Sequence, residues 1–281
     1  MKPLWIIENF VGDNGYEELI TEVRNQGCEC IVLDIRNHFE LDPQLIKINE
    51  LAMFQGSIQL FRKLKNELTC YPLGWMNDEN YMCSTYYPLF QKFLFNDWHI
   101  FVTMAGLKHN KWNIYKQFSK DTLIHIRPNG GDKTFSGQLV DLQDFDGIFN
   151  GKTSRCSAKE TDLAVVSTPK NILGEWRFIC TNKGEIVAQT TYMYRGNRTY
   201  VPGAPEGAIK LCKEILAVGW YPDPMFTVDI CEDSDGAYWM MEFNSFTSAG
   251  TYAANKTAIV ETANRIAAEE YENRSTMKKM D

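Results

Sequence analysis

The sequence lacks an apolar run long enough to cross a membrane. A membrane helix needs about 18 consecutive apolar residues, and no uninterrupted apolar run approaches that length. The amino-terminal stretch, MKPLWIIE, reaches a glutamate after four apolar residues, which is too short for the core of a secretory signal. We therefore expect a cytoplasmic protein without a membrane partner.

Paired cysteines and patterned histidines are also missing. Of the eight cysteines, only Cys28 and Cys30 lie close together, and no second pair completes a zinc set. We expect reduced thiols that mostly fill the core. The four histidines show no metal-ligand spacing, and no Gly-x-Ser-x-Gly elbow occurs. The histidines are His38, His99, His109 and His125.

Basic residues are fewer than acidic ones. The chain has 29 Lys and Arg against 36 Asp and Glu, so its formal net charge is −7. Proteins that coat nucleic acid need clustered cations to neutralise phosphates. The balance counts against a nucleic-acid partner, although it leaves room for a local basic pocket.

The pattern of strands and helices changes along the 281 residues. Up to residue 68, short apolar runs alternate with helical periodicity, which predicts a small parallel α/β domain. The run 51–54 is one such strand, and Ser57 is placed to cap the helix that follows it. From residue 122 onward, hairpin patterns dominate and predict a mostly antiparallel α+β part. We place the boundary near residue 97.

The hairpin 225–243 brings acidic residues together. A two-residue turn at Asp235-Gly236 sets Asp229 opposite Glu242, and a turn at Ser234-Asp235 makes them diagonal neighbours. Asn244 shares the face of Glu242 because side chains alternate along a strand. Opposed carboxylates repel unless a cation lies between them, and oxygen ligands suit Mg²⁺. A solvent-facing pair of strands is the alternative, but apolar residues on both faces argue against it.

A second motif is the strand and loop 124–137. Arg127 ends the strand, Gly130-Gly131 makes the loop pliable, and Lys133 adds a second cation. Glycine N–H groups can approach phosphate oxygens closely, and the cations would neutralise them. A hairpin loop with Gly and Asn needs no ligand, so both interpretations stand. Further on, Glu175 and Arg177 share one face of a strand. A surface ion pair of little energetic value would show the same pattern.

In this order, the motifs resemble the ATP-grasp superfamily. The segment 126–128 with 133–137 resembles its phosphate-binding strand and flexible loop, and 165–177 resembles the adenine-contacting hinge with the strand after it. Asp229 and 242–244 resemble its magnesium-binding strands. The likeness covers roughly residues 50–255, and it is greatest to a phage-enriched clade marked by two arginines and one lysine. Arg127 stands where most members carry a first lysine. The compact ammonium of lysine is thus replaced by a forked guanidinium that stays charged.

The resemblance implies an ATP-grasp fold of mixed α/β and α+β character. An N-terminal pre-ATP-grasp domain, 1–96, would precede an ATP-grasp domain, 97–281, whose subdomains 97–166 and 167–281 clamp ATP. The implied nucleotide-binding residues are Arg127, Lys133, Val166, Ser167, Thr168 and Glu175. The implied ligands of two Mg²⁺ ions are Asp229, Glu242 and Asn244. Arg177 and Lys133 would be catalytic, and Arg177 with Arg195 would bind the substrate.

The implied activity is ATP-dependent carboxylate–amine ligation through an acyl phosphate, with ATP, a carboxylate and an amine as partners. The protein would act in the cytoplasm, that of the host if a phage encodes it, with a homodimer as the default oligomer. Two alternatives stay open: an ATP-binding module without turnover, and an ATP-dependent modifier of a protein or nucleic acid. Aromatic residues in 70–98 keep the last open, as do four lysines that could equally form a solvated helix face. The lysines are Lys108, Lys111, Lys116 and Lys120.

Overall fold

The computed structural model describes residues 1–9, 15–34, 51–131, 134–149 and 156–277. These residues contain three sheets. Four parallel strands form the first, in the order β2-β1-β3-β4. Their bounds are β1 Leu4–Asn9, β2 Cys30–Asp34, β3 Leu51–Gln55 and β4 Tyr71–Leu73.

The first sheet confirms the predicted parallel α/β beginning. Trp5 and Phe54 are fully buried, as expected for a parallel strand covered on both faces. The helices Tyr16–Asn25 and Ile58–Glu67 supply that cover. Ser57 caps the second helix as predicted, because its hydroxyl accepts the N–H of Leu60 at 3.3 Å.

The carboxy-terminal helix, Lys256–Met277, packs into the same core as the first sheet. Ile259, Val260 and Ala263 share a buried cluster with Trp5 and Leu19. The indole N–H of Trp5 also donates to Asn264 Oδ1 at 2.9 Å. The two ends of the chain are therefore built into one core.

The second sheet has the order β5-β8-β6-β7 and is antiparallel. Its bounds are β5 His99–Thr103, β6 Leu123–Pro128, β7 Gln138–Asp141 and β8 Leu163–Ser167. One face packs on the helices Met104–His109 and Lys111–Phe118 through Ile124 and Ile126. The strand β6 was predicted from the sequence, but β5 and these two short helices were not. Two further helices, Cys83–Phe90 and Phe145–Phe149, and 3₁₀ turns at Asp78–Tyr81 and Gln91–Phe93 lie in the same part of the chain.

The third sheet has the order β11-β10-β9-β12-β13. Its bounds are β9 Ile172–Thr181, β10 Ile186–Tyr194, β11 Asn197–Pro202, β12 Met225–Asp233 and β13 Tyr238–Ser245. The helix Glu206–Leu216 and a 3₁₀ turn, Phe246–Ser248, complete the elements. The pairing register of β10 shifts between Thr191 and Met193 against both of its neighbours, which marks a β-bulge at Tyr192.

The turn between β12 and β13 differs from both predicted two-residue turns. The N–H of Asp233 donates to the Ala237 carbonyl at 3.0 Å, so the loop has three residues, Ser234 to Gly236. Gly236 has a φ of 82°, the left-handed position that ends such a loop. The Asp233 carboxylate stabilises the loop by accepting the N–H groups of Asp235 and Ala237, each at 2.9 Å.

By contact density the chain forms two compact units. Unit 1 is Met1–Asn77, Gly174–Ile230 and Phe243–Asp281, and unit 2 is Asp78–Leu173 and Cys231–Glu242. These units follow packing rather than position in the chain, so the domain boundaries at 96/97 and 166/167 stay predictions. Among the described residues, no helix combines the length and apolarity that a membrane span requires.

Gly56, directly after β3, has no room for a side chain. A Cβ there would lie 2.6 Å from the Glu8 Cβ and 2.6 Å from the Phe54 ring. We expect Gly56→Ala to lower the free energy of unfolding by about 1–3 kcal/mol through overpacking. Gly131→Ala is the matched control, since its Cβ would meet only the Tyr81 Cβ at 3.5 Å. Urea unfolding measures both, and equal stability of the two variants would contradict the expectation.

Candidate active site

A buried ion pair lies at the centre of unit 1. Arg177, on β9, donates from Nε and Nη2 to the two carboxylate oxygens of Asp229, on β12, at 2.8 and 2.7 Å. Their side chains are only 9% and 1% exposed. Such a fork is strong and directional, and arginine stays protonated at every pH that the fold survives. Sequence analysis chose both residues but did not predict that they pair.

Asn244 joins the same cluster. Its Nδ2 donates to Asp229 Oδ2 at 3.0 Å, so the carboxylate accepts from β9 and β13 together. Two of the three predicted magnesium ligands are therefore in contact. The donor set of carboxylate and amide oxygens has the chemistry that Mg²⁺ prefers.

Two tyrosine rings contact the guanidinium of Arg177. Its central carbon lies 5.5 Å from the ring centre of Tyr192 and 5.2 Å from that of Tyr252. The Tyr252 ring also stacks on Tyr192 and Tyr200, at 5.4 and 5.2 Å between centres. Cation–π contacts of this kind orient a guanidinium as well as stabilise it.

The backbone is irregular where it presents these rings. Tyr192 lies at the bulge of β10, and Tyr252 has a φ of 42°, a conformation that a bulky residue rarely adopts. Two residues before Tyr252 in the chain, the Gly250 carbonyl accepts a hydrogen bond from Arg177 Nη1 at 3.1 Å. Neither irregularity has a sequence pattern that predicts it, and sequence analysis missed both tyrosines.

Glu175 and Arg195 are the other predicted residues of unit 1. The Tyr192 hydroxyl donates to Glu175 Oε2 at 2.5 Å, and burial raises the pKa of Tyr192 well above its usual value, so the phenol stays a donor. Arg195 lies in the exposed turn between β10 and β11 and packs over the Tyr194 ring. Within the described contacts Arg195 does not join the Arg177 cluster.

Unit 2 holds a second arginine–carboxylate pair. Arg127 Nη2, at the end of β6, donates to Glu242 Oε2 at 2.5 Å, and Arg127 Nη1 donates to the Met241 carbonyl at 3.5 Å. The side chains are 17% and 26% exposed. Glu242, the third predicted magnesium ligand, is thus neutralised by the arginine predicted to bind phosphate.

The loop after Arg127 is anchored at its start. Asn129 accepts the N–H of Ser84 on Oδ1 at 2.8 Å, and its carbonyl accepts the N–H of Cys83 at 2.8 Å. Phe135 enters the core of unit 2 beyond the loop. Lys133, predicted to be catalytic, lies outside the described residues.

The predicted adenine hinge follows β8. Val166 lies inside the sheet, between β5 and β6, with its side chain in the core. Ser167 ends the strand and Thr168 lies just beyond it. The Ser167 hydroxyl donates to Asn96 Oδ1 at 3.1 Å and lies 3.1 Å from His125 Nδ1. Sequence analysis considered His125 only as a metal ligand and missed this contact.

A family profile described as "ATP-grasp domain, R2K clade family 3" matches residues 110–263, more than half of the chain. The chain belongs to the ATP-grasp superfamily, in its R2K clade. The family predicted from the motifs is therefore confirmed, while its phage-enriched character stays a prediction. No curated protein sequence matches the chain.

Solved structures show the same fold over most of the chain. D-cycloserine synthetase DcsG aligns with a TM-score of 0.60 at 10% identity, covering 94% of this chain and 99% of its own. The ATP-grasp ligase PsnB, complexed with a minimal precursor, aligns at 0.53 and 11% identity, covering 95% and 100%. N5-carboxyaminoimidazole synthetase from Staphylococcus aureus, complexed with ADP, aligns at 0.52 and 15%, covering 86% and 69%. At these identities the likeness confirms the ATP-grasp fold and no more.

The Arg177–Asp229 pair of this ATP-grasp protein makes a prediction for stability. Asp229→Leu leaves a buried guanidinium without its carboxylate, so we expect a loss of about 3–5 kcal/mol in the free energy of unfolding. The double variant Arg177→Leu/Asp229→Leu should lose less than the sum of the two single variants, because neither charge is left alone. Urea unfolding of the four proteins measures the coupling, and additive losses would contradict the prediction.

His125 makes a prediction for pH. Burial, with a smaller effect of Arg127, lowers the pKa of His125 to about 4. Unfolded histidine takes up its proton near pH 6.5, so between about 6.5 and 4 the unfolded chain binds more protons than the folded one. Stability from this group is full above pH 6.5 and falls by about 2–3 kcal/mol as the pH drops to 4. Urea unfolding at several pH values tests this, and His125→Gln should flatten the decline by that amount. An unchanged profile in the variant would refute the assignment.

Proposed function

We propose that this protein is an ATP-dependent carboxylate–amine ligase that forms a peptide or related amide bond through an acyl phosphate. The observation that carries the proposal is the pair of arginine–carboxylate clusters, Arg177–Asp229–Asn244 and Arg127–Glu242, in a chain of the ATP-grasp family. The names of the structural neighbours support it, because DcsG is a synthetase and PsnB a ligase. Ligation of this kind needs cations and ordered oxygen ligands rather than a nucleophilic side chain.

The proposed chemistry has two steps. A carboxylate oxygen of the substrate attacks the γ-phosphorus of ATP, the bond to the β-phosphate oxygen breaks, and ADP leaves. The amine nitrogen then attacks the acyl carbon, the carbon–oxygen bond to phosphate breaks, and the nitrogen gives up one proton. The products are an amide, ADP and inorganic phosphate.

Each site residue has a role in this proposal. Arg127 and Lys133 bind the phosphates of ATP, the segment of Val166, Ser167 and Thr168 forms the adenine hinge, and Glu175 completes the nucleotide site. Asp229, Glu242 and Asn244 would hold two Mg²⁺ ions, whose charge would offset that of the ATP phosphates.

Arg177 acts on the reacting groups. Asp229 and the Gly250 carbonyl use three of its five N–H bonds. The other two can donate to the transferring phosphoryl group and the acceptor carboxylate, where charge develops. Arg195 contributes a second, more exposed contact to the substrate.

The names of the structural neighbours point to acceptors of different sizes. DcsG is named for a small product, and PsnB is solved with a precursor peptide. A panel of acceptors must therefore include amino acids, short peptides and proteins. We place the enzyme in the cytoplasm, working as a homodimer.

The test is Mg²⁺-dependent release of ADP from ATP across that panel. One class of acceptor should stimulate ADP release. Mass spectrometry of that reaction should show a product whose mass equals that of the carboxylate substrate plus the amine minus one water. We expect Glu242→Gln to reduce turnover by at least about 100-fold, because it removes charge from the metal set. Glu232→Gln, on the same hairpin, should leave turnover unchanged.

Two results would overturn the proposal. Full turnover of Glu242→Gln would remove that residue from the reaction. ATP binding without ADP release for any acceptor would favour a binding module without turnover.

A further inference from the structure

One face of the second sheet collects the features that a purine base requires. His125 and Arg127 alternate onto the same face of β6, opposite the face that Ile124 and Ile126 bury. The register sets Leu139 of β7 and Ser167 of β8 beside His125. The face with the proposed phosphate-binding arginine thus also carries an imidazole.

Hydrogen bonding fixes which nitrogen of His125 carries the proton. Ser167 has one hydroxyl hydrogen, and it donates that hydrogen to Asn96 Oδ1 at 3.1 Å. The Ser167 oxygen must then accept from His125 Nδ1–H, at 3.1 Å. Since the imidazole is neutral at pH 7, its Nε2 carries a lone pair and can only accept a hydrogen bond.

No side chain or backbone group in the described ranges donates to Nε2, and Gly137 lies beside it. A Cβ on Gly137 would lie 3.6 Å from Nε2, so glycine adds no side chain at this edge of the imidazole. Leu139 is 53% exposed, which is unusual for leucine and provides an apolar surface next to the acceptor.

We propose that His125 selects adenine, with Nε2 accepting a hydrogen bond from the exocyclic 6-amino group while Leu139 packs against the ring. This rests on the ATP binding of the proposed function and adds the residue that reads the base. A lone acceptor repels the 6-carbonyl oxygen of guanine, so GTP is rejected for the same reason that ATP is chosen. Ser167 acts through His125, as a positioning residue that holds the required tautomer.

The experiment combines a change in one side chain with a change in one ligand group and compares the four dissociation constants. Binding is measured at equilibrium, without any acceptor substrate. The ligands are ATP and purine riboside triphosphate, which lacks the 6-amino group. Wild-type protein should bind ATP about 3–10-fold more tightly, the worth of one hydrogen bond. His125→Phe keeps a ring but loses the acceptor, and should bind both ligands equally. Leu139→Ala is the matched control, since it should weaken both ligands by one factor and preserve their ratio.

The outcomes separate this inference from the proposed function. Wild-type protein that binds both triphosphates equally overturns the inference alone, and this result needs no variant to fold. An unchanged ratio in a folded His125→Phe variant also overturns it. The affinities for ATP and for 2′-deoxy- or 3′-deoxy-ATP are compared as well. If their ratio changes in the His125→Phe variant, His125 contacts the ribose, and the inference is overturned. If wild-type protein binds no triphosphate, the proposed function fails and the inference with it.

Discussion

The buried ion pair between Arg177 and Asp229 constrains the rest of unit 1. Both charges are almost fully removed from water, which costs several kcal/mol per ion unless each hydrogen-bonding group is satisfied. Asn244 and the Gly250 carbonyl meet part of that need, and they tie β9, β12, β13 and the segment before the last helix to one point. A buried pair of this kind adds little net stability, so its value lies in fixing where a permanent cation points.

The same pair changes the argument for a metal. Two facing carboxylates repel, and from the sequence alone a bound cation is the natural remedy. In the folded protein each carboxylate already has a guanidinium partner, Arg177 for Asp229 and Arg127 for Glu242. Repulsion therefore no longer requires Mg²⁺. The case for the metal now depends on the oxygen donors and on membership of the ATP-grasp family, in which carboxylates must stay ionised to bind it. An arginine partner favours the ionised form of a carboxylate.

Sequence patterns predicted the alternating strands and helices of the first part and the Ser57 cap because those features depend on near neighbours. The buried runs of β1, β3 and β8 and the Ser57 cap are local properties. The strand β11 was missed because its sequence, NRTYVP, is polar and ends in proline, as an exposed edge strand tolerates. The predicted length of the turn after Asp233 was wrong by one residue, because Asp-Gly suits both two-residue and three-residue loops. The candidate site depends on longer connections. Arg127 reaches Glu242 across 115 residues, and no spacing rule covers such a distance.

The two arginines and His125 differ in what pH can do to them. Both arginines keep their charge across the pH range in which the fold survives, since guanidinium does not deprotonate. His125 is neutral at pH 7 because it is buried beside Arg127, and that neutrality is what gives Nε2 its lone pair. The charge of Arg127 thus has two effects on one face of the sheet. It supplies the cation proposed for phosphate, and two residues away it helps keep the imidazole an acceptor. A lysine at position 127 would also be charged, but it could not span Glu242 and the Met241 carbonyl with separate nitrogens as the guanidinium does. Arginine at position 127 is accordingly suited to a site in which one side chain pairs with both a carboxylate and a backbone carbonyl.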